Sequence, residues 1–179
     1  MTAEIRTARL LMRPWQDEDR APFAAMNADP MVMRYYPRPM SREESDAFVD
    51  RIEARFDEHG YGLWAVELDG EFTGYVGLAW HVFEEGGLEE LEVGWRLAKR
   101  FWGRGIATEA GRAALAIGLQ HEPTVVSVTA EINEPSQRVM QRIGMRLDSR
   151  FEHIRVDVGS PLRPHVRYVA KRQTWLPAT

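Results

Sequence analysis

Two glycines one residue apart, Gly103 and Gly105, lie in the stretch RFWGRGIATEA (residues 100–110), between a segment with strand-like alternation and a run of helix formers. No other feature of the 179-residue chain restricts the fold as much. A strand that passes through Arg-x-x-Gly-x-Gly into a helix leaves several backbone N–H groups free at the helix N-terminus, where the helix dipole also favours negative charge. Such a turn suits a phosphate or pyrophosphate. Glycine has no Cβ to hold an anion away, Arg100 and Arg104 bring charge to the rim, and Thr108 adds a hydroxyl one turn into the helix. The same turn could instead serve close packing of strand on helix. Two common phosphate loops do not fit: no lysine follows the glycines as a Walker loop requires, and Thr108 stands where a dinucleotide fingerprint has its third glycine.

The rest of the chain reads as alternating strand and helix patterns. RLLMRPW (9–15) is strand-like and stopped by Pro14; a helix with an acidic start at 17–19 follows, with Phe23, Ala24 and Met26 at helical spacing. Ser41 and Glu44 form a capping box for a second helix carrying Phe48, Ile52 and Phe56, and Gly60 supplies its left-handed end. From Tyr61 the period becomes two: YGLWAVEL, a turn at Asp69-Gly70 and EFTGYVGLAW predict a hairpin. LEVGWRL (91–97) resumes the sheet. Past the glycine turn, Ala110, Ala113, Ala114 and Ile117 mark one face of a helix. TVVSVTAEIN (124–133) predicts a strand, Pro135–Ile143 a short helix, and FEHIRV and HVRYVAKR two closing strands. The fold class is α/β, a mixed sheet with helices interspersed rather than a regular βαβ repeat. With no repeat and no long linker, one domain over 1–179 is expected.

Composition removes several function classes. The absence of cysteine excludes a thiol nucleophile, a disulfide framework and a thiolate metal site. A formal charge of -4 gives no electrostatic footprint for nucleic acid. The N-terminal stretch carries charges within its apolar run, which speaks against a signal peptide or a membrane span and for a cytoplasmic protein. No metal is expected, because the histidines lack ligand spacing and His121-Glu122 is not followed by x-x-His.

RFWGRGIATEA resembles the acyl-CoA-binding motif of the GCN5-related N-acetyltransferases, the GNAT superfamily, Gln/Arg-x-x-Gly-x-Gly/Ala. Within it, the stretch is similar to the ribosomal-protein N-acetyltransferase branch, with its Trp-Gly-(Lys/Arg)-Gly-x-Ala-Thr-Glu-Ala form. A second block, NEPSQRVMQRIGM (133–145), resembles the family's Asn-x-x-Ser block in the expected order and separation. The resemblance implies a central, mostly antiparallel sheet splayed to admit acyl-CoA and flanked by about four helices. It also implies acetyl-CoA as co-substrate. The pyrophosphate would rest on the backbone of Arg100, Gly103, Arg104, Gly105, Ile106 and Ala107, with Thr108 nearby. The pantetheine arm would run beside Trp95, Arg96 and Leu97, and Asn133 would contact it or organise the opening.

Acetyl transfer to an amine needs a neutral amine, oxyanion stabilisation and a hydrogen bond for the departing thiolate. Many family members supply the last from a tyrosine seven residues after the asparagine. Met140 stands there in this chain; the resemblance to the ribosomal-protein branch implies Ser136 in that role, as a hydrogen-bond donor rather than a full acid, and the alternative is an ordinary residue in the first helical turn. A backbone N–H of Gly94 or Trp95 would serve the oxyanion. Glu92 is the candidate base, acting through a water, although a solvent-facing carboxylate paired with arginine fits the same strand position. His153 and His165 border the expected acceptor groove, as hydrogen-bonded structural residues or as catalytic ones. Tyr35 and Tyr36 could form an acceptor wall or packing anchors. The acidic run FEEGGLEELE (83–92) would attract a cationic amine or form a solvated hairpin tip. The acceptor is expected to be a small-molecule amine or a protein N-terminal amine, with no nucleic acid or membrane partner; homodimers are common in the family. The alternative is a CoA-binding sensor of the same fold that has lost turnover.

Overall fold

The computed structural model of the protein describes residues 4–83 and 87–176. A short strand β1 (Ile5–Arg6) pairs antiparallel with β2 (Leu10–Arg13). Helix α1 (Asp17–Ala28) starts where the Asp19 carboxylate accepts the Gln16 N–H at 2.9 Å. The same carboxylate receives both ends of the Arg13 guanidinium, at 2.7 and 2.9 Å, so a buried ion pair fixes the angle between β2 and α1. Helix α2 (Arg42–His59) opens on the expected box. Ser41 Oγ accepts the Glu44 N–H at 3.2 Å, and Glu44 Oε2 accepts the Ser41 N–H at 2.8 Å. It ends at Gly60 with φ 75°.

Strands β3 (Leu63–Leu68) and β4 (Glu71–His81) form the predicted hairpin. Asp69 and Gly70 both have positive φ, 54° and 80°, as a two-residue turn matched to the strand twist demands. Strand β5 (Glu90–Leu97) leads through a 3₁₀ turn (Lys99–Phe101) into α3 (Ile106–His121), β6 (Thr124–Ala130), α4 (Glu134–Arg142), β7 (Arg146–Glu152) and β8 (Pro164–Lys171). The sheet order is β1-β2-β3-β4-β5-β6-β8-β7. Every neighbouring pair is antiparallel except β5 and β6, which are parallel and in register only at Glu92 and Val126. The expected mixed, mostly antiparallel sheet with four helices is therefore present. Its core holds Phe23 against Trp15, Phe48 and Tyr75, together with the Ala110, Ala114 and Leu115 face of α3.

Three boundaries differ from the sequence reading. β1 is too short to show a period. β6 stops at Ala130, because Glu131 and Ile132 turn and Asn133 becomes the N-cap of α4, accepting the Ser136 N–H. The strand expected over FEHIRV begins earlier and runs Arg146–Glu152, and the chain turns from His153 onward. That edge strand is solvent-exposed at all but one position, so no buried face imposes the alternation by which strands are recognised.

Candidate active site

The single parallel pairing creates the site. Beyond Glu92, β5 continues to pair with β4 through Gly94, Trp95, Arg96 and Leu97, but its registered pairing with β6 has ended. The two strands splay and leave an open edge. The Glu92 side chain occupies the fork, with Oε1 accepting the Val128 N–H of β6 at 3.2 Å, a donor that continued pairing would have used otherwise.

The glycine turn lies at one end of this opening. Gly103 and Gly105 have φ 74° and 78°, and α3 begins without a side-chain cap, so its first N–H groups remain available. A Cβ at Gly103 would meet nothing within 4 Å, and one at Gly105 would meet only Arg9 Nη2 at 3.4 Å. The glycines thus serve the left-handed backbone and leave the space in front of the helix clear; close packing is not their reason. Glu109, from the same stretch, has a different task that the sequence did not disclose. It accepts from Thr7 Oγ1 at 2.6 Å, Arg9 N at 2.9 Å and Arg9 Nε at 2.8 Å, tying the β1–β2 turn to α3.

A cleft of about 490 Å³ runs from this helix start into the fork. Trp95, Arg96, Leu97, Gly103, Gly105, Ile106, Ala107, Thr108, Asn133 and Ser136 all line it, as do Tyr35 and Tyr36. Arg100 and Arg104 do not line it. The Arg100 guanidinium pairs with Glu71 at 2.5 Å and lies over the Phe101 ring, and Arg104 also lies over that ring. The charge expected from them at the rim comes instead from Arg34, Arg138 and Arg142, which line the cleft. Arg138 and Arg142, one helical turn apart in the block that carries Asn133 and Ser136, were the available signal. Arg34 is held over the Tyr35 ring at 4.7 Å and the Trp102 ring at 4.8 Å and follows no local pattern.

Asn133 organises the middle of the cleft. Its Nδ2 donates to Thr129 Oγ1 at 2.9 Å and to Ser136 Oγ at 3.1 Å, while its Oδ1 accepts the Ser136 N–H at 3.4 Å. Because Ser136 Oγ accepts from Asn133, its own O–H is free to donate toward the cleft. Met140 is buried and offers no proton.

A second chamber, of about 690 Å³, meets the first at Tyr35, Tyr36, Trp95, Arg96, Asn133 and Ser136. Glu92, His81, His153 and His165 lie on its walls with Trp80, Phe83 and Tyr75. Burial pushes the Glu92 carboxyl up to about 8, against the opposing pull of the Val128 N–H. The expectation of a solvated strand carboxylate paired with arginine does not hold: the side chain is buried in the fork, with His81 Nε2 at 3.5 Å. His153 is held down to about 4 by burial and by His165 beside it, and burial also lowers His165. Both rings have backbone partners: His165 Nδ1 donates to the Arg163 carbonyl at 3.1 Å, and His153 Nδ1 accepts the Arg155 N–H at 3.1 Å.

Arg96 runs inward rather than along the cleft. Its Nη1 donates to Asn27 Oδ1 at 2.8 Å and the guanidinium lies 4.3 Å from the Tyr36 ring centre, so mainly the backbone of this residue can serve a ligand at the open edge. The acidic run is only partly described. Glu84 and Glu85 lie outside the described residues, Glu90 pairs with Arg167, and Glu92 is in the fork, leaving Glu89 exposed. Among the described residues no group of three or more histidine, aspartate or glutamate side chains could hold a metal ion. No helix among them is long and apolar enough to cross a membrane.

Comparison with known proteins places this geometry. The sequence profile of the acetyltransferase (GNAT) domain matches residues 9–146. The FsC-acetyl coenzyme A-N(2)-transacetylase of Aspergillus fumigatus is 27% identical over 182 residues, covering 96% of this chain and 77% of its own. The crystal structure of a GNAT-family acetyltransferase from Bacillus anthracis superposes with a TM-score of 0.77 at 25% identity, covering 96% of this chain and 99% of that one. The ribosomal L7/L12 alpha-N-protein acetyltransferase RimL, solved with coenzyme A, shares the fold with a TM-score of 0.74 at 16% identity, over 94% and 98% of the two chains. A profile that spans most of the chain, together with the shared fold, identifies the protein as a GNAT acetyltransferase.

Proposed function

We propose that the chain transfers the acetyl group of acetyl-CoA to a primary amine by direct attack within a ternary complex. The observation that carries this reading is the shared wall of the two chambers. The cleft that starts at the α3 N-terminus and the chamber that holds Glu92 meet at Trp95, Asn133 and Ser136, so donor and acceptor can touch without a covalent enzyme intermediate. The absence of cysteine accords with this.

The residues fit acetyl-CoA chemically. Uncapped N–H groups at Ile106, Ala107 and Thr108, with Arg34, Arg138 and Arg142 on the walls, suit phosphates. The open edge of β5 at Trp95–Leu97 can pair with the amides of the pantetheine arm, as an added strand would. The amine nitrogen attacks the thioester carbonyl, the C–S bond breaks, and the free Ser136 hydroxyl donates to the leaving thiolate. A backbone N–H of Gly94 or Trp95 faces the developing oxyanion. Glu92 takes the amine proton, directly or through a water, and a carboxyl shifted to about 8 is well matched to that task near neutral pH. The acceptor is a small-molecule amine or a protein N-terminal amine.

The test is thermal unfolding with acetyl-CoA, ATP and NAD at equal concentration, followed by thiol release with amines. Acetyl-CoA at about a hundred times its dissociation constant should stabilise by roughly 2.7 kcal/mol. Stabilisation by ATP or NAD but not by acetyl-CoA would reject the reading.

A further inference from the structure

The chamber on the acceptor side carries a group of arginines. Arg51 and Arg55 on α2 and Arg155 in the β7–β8 connection all line it. Among the described residues no carboxylate pairs with Arg51 or Arg155, and Arg55 has only an exposed pair with Glu58 at 3.0 Å. Arg51 and Arg55 are also one helical turn apart, an arrangement of like charges that opposes helix stability rather than serving it. Both Arg55 and Arg155 act on the same ring, His81, and help to hold it below its ordinary value. The other acidic and basic groups lining the chamber are His59, Glu89, Glu92, Arg96, His153 and His165. Glu92, shifted to about 8, is mostly uncharged at neutral pH, and His153 and His165 are held low. Among the described residues Glu89 is the one other carboxylate on this lining. The same chamber is lined by aromatic side chains, Tyr61, Trp80 and Phe83 among them.

Resting on the acetyltransferase reading above, we infer that the acceptor is an amine carrying an oxyanion, a carboxylate or phosphate-like group, on an apolar or aromatic body. The oxyanion lies against Arg51, Arg55 and Arg155, the body against the aromatic wall, and the amine reaches the fork at Glu92. Arginine suits this because its planar fork matches both kinds of oxyanion in two hydrogen bonds. The anion also supplies what the chamber lacks, a counter-charge for guanidinium groups that would otherwise repel a protonated amine.

Matched acceptors sharing one body provide the test: L-phenylalanine, 1-amino-2-phenylethylphosphonic acid, phenylalaninamide and phenethylamine, with spermidine as a cationic comparison. Initial rates of CoA release should give the two anionic compounds a kcat/KM roughly ten- to a hundredfold above the amide and phenethylamine, the scale of one or two charge-assisted hydrogen bonds. The ratio of the two anionic compounds tells carboxylate from phosphate chemistry. In Arg51→Gln/Arg55→Gln/Arg155→Gln that advantage should vanish through a raised KM at nearly constant kcat, while phenethylamine is unaffected. These side chains are exposed, so the variant should fold, and an unchanged unfolding midpoint verifies this. Preference for phenethylamine or spermidine, or an anionic advantage that survives the triple substitution, overturns the inference. So does failure to acetylate any of these compounds while acetyl-CoA still stabilises the protein. Loss of stabilisation by acetyl-CoA would instead sink the function proposed above.

Discussion

Replacing Glu92 by glutamine removes the charge of this side chain while keeping its shape, and the structure ties two independent measurements to that one change. Burial raises the Glu92 carboxyl from an ordinary 4.5 to about 8 in the folded protein. Between those values the folded state binds a proton that the unfolded state has released. Stability contributed by the neutral group is therefore fully present below about pH 4.5 and is lost as pH rises toward 8. With a side chain only 16% exposed, little of the effect is screened by solvent, and the loss across the window amounts to roughly 3–5 kcal/mol. Glu92→Gln never ionises. At pH 9 it should unfold above the wild-type protein by on the order of 5–10 °C, and near pH 5 the two should nearly coincide.

Activity should move the opposite way. If the ionised Glu92 takes the amine proton, wild-type kcat at saturating acetyl-CoA and acceptor rises with pH and levels above about 8. At pH 7 roughly a tenth of the molecules hold the carboxylate, enough to sustain turnover. Glu92→Gln should lose that inflection and drop about a hundred- to ten-thousandfold in kcat. Scanning calorimetry and the pH profile of CoA release, run on the same two proteins, check both halves. A variant that keeps the wild-type inflection refutes Glu92 as the base. A variant no more stable than wild type at pH 9 refutes the burial argument on which its shifted ionisation rests.

Other outcomes follow from the same geometry. If the Ser136 hydroxyl donates to the leaving thiolate as proposed, Ser136→Ala should lower kcat by roughly ten- to a thousandfold with little change in acetyl-CoA affinity; single-turnover rates measure it. Gly105→Val, which places a β-branched side chain at φ 78°, should weaken acetyl-CoA binding by at least about tenfold in a calorimetric titration, whereas Gly105→Asn should lose less because asparagine tolerates that conformation. Equal losses in the two variants would assign the effect to obstruction rather than backbone shape. Asp19→Ala leaves the buried Arg13 with Glu67 alone and should cost about 3–5 kcal/mol, visible as a lower unfolding midpoint with kcat unchanged at 25 °C.

What the sequence revealed was local in origin. The capping box at Ser41 and Glu44, the Asp69-Gly70 turn and the left-handed pair Gly103 and Gly105 depend on backbone conformations that a few adjacent residues decide. The donor half of the site was legible for that reason. Asn133 and Ser136 sit three residues apart at one helix start, a spacing that lets Asn133 Oδ1 accept the Ser136 N–H. The edge strand β7 was placed too late because exposure on both faces removes the signal of period two. Arg100 and Arg104 were assigned by proximity in sequence to a rim that Arg34, Arg138 and Arg142 occupy, since the direction of a long side chain depends on a distant partner, here Glu71 for Arg100.

The acceptor half obeys a different logic, and charge shows it most clearly. A run of glutamates at 83–92 looks acidic when counted along the chain, yet potential at a site depends on which charges are ionised and unpaired there. Glu90 is taken by Arg167, across the fork on β8, and burial raises the Glu92 carboxyl to about 8, which favours its neutral form at pH 7. Arg51, Arg55 and Arg155 are scattered through more than a hundred residues, and only the tertiary fold brings them to one chamber, where among the described residues Arg51 and Arg155 have no carboxylate partner. A helix, a hairpin and a connecting loop must each be in place before that grouping exists, so no window of sequence contains it. On the proposed reading, the donor site is therefore set by what the backbone does within ten residues, whereas acceptor choice would be set by which side chains the fold leaves uncompensated.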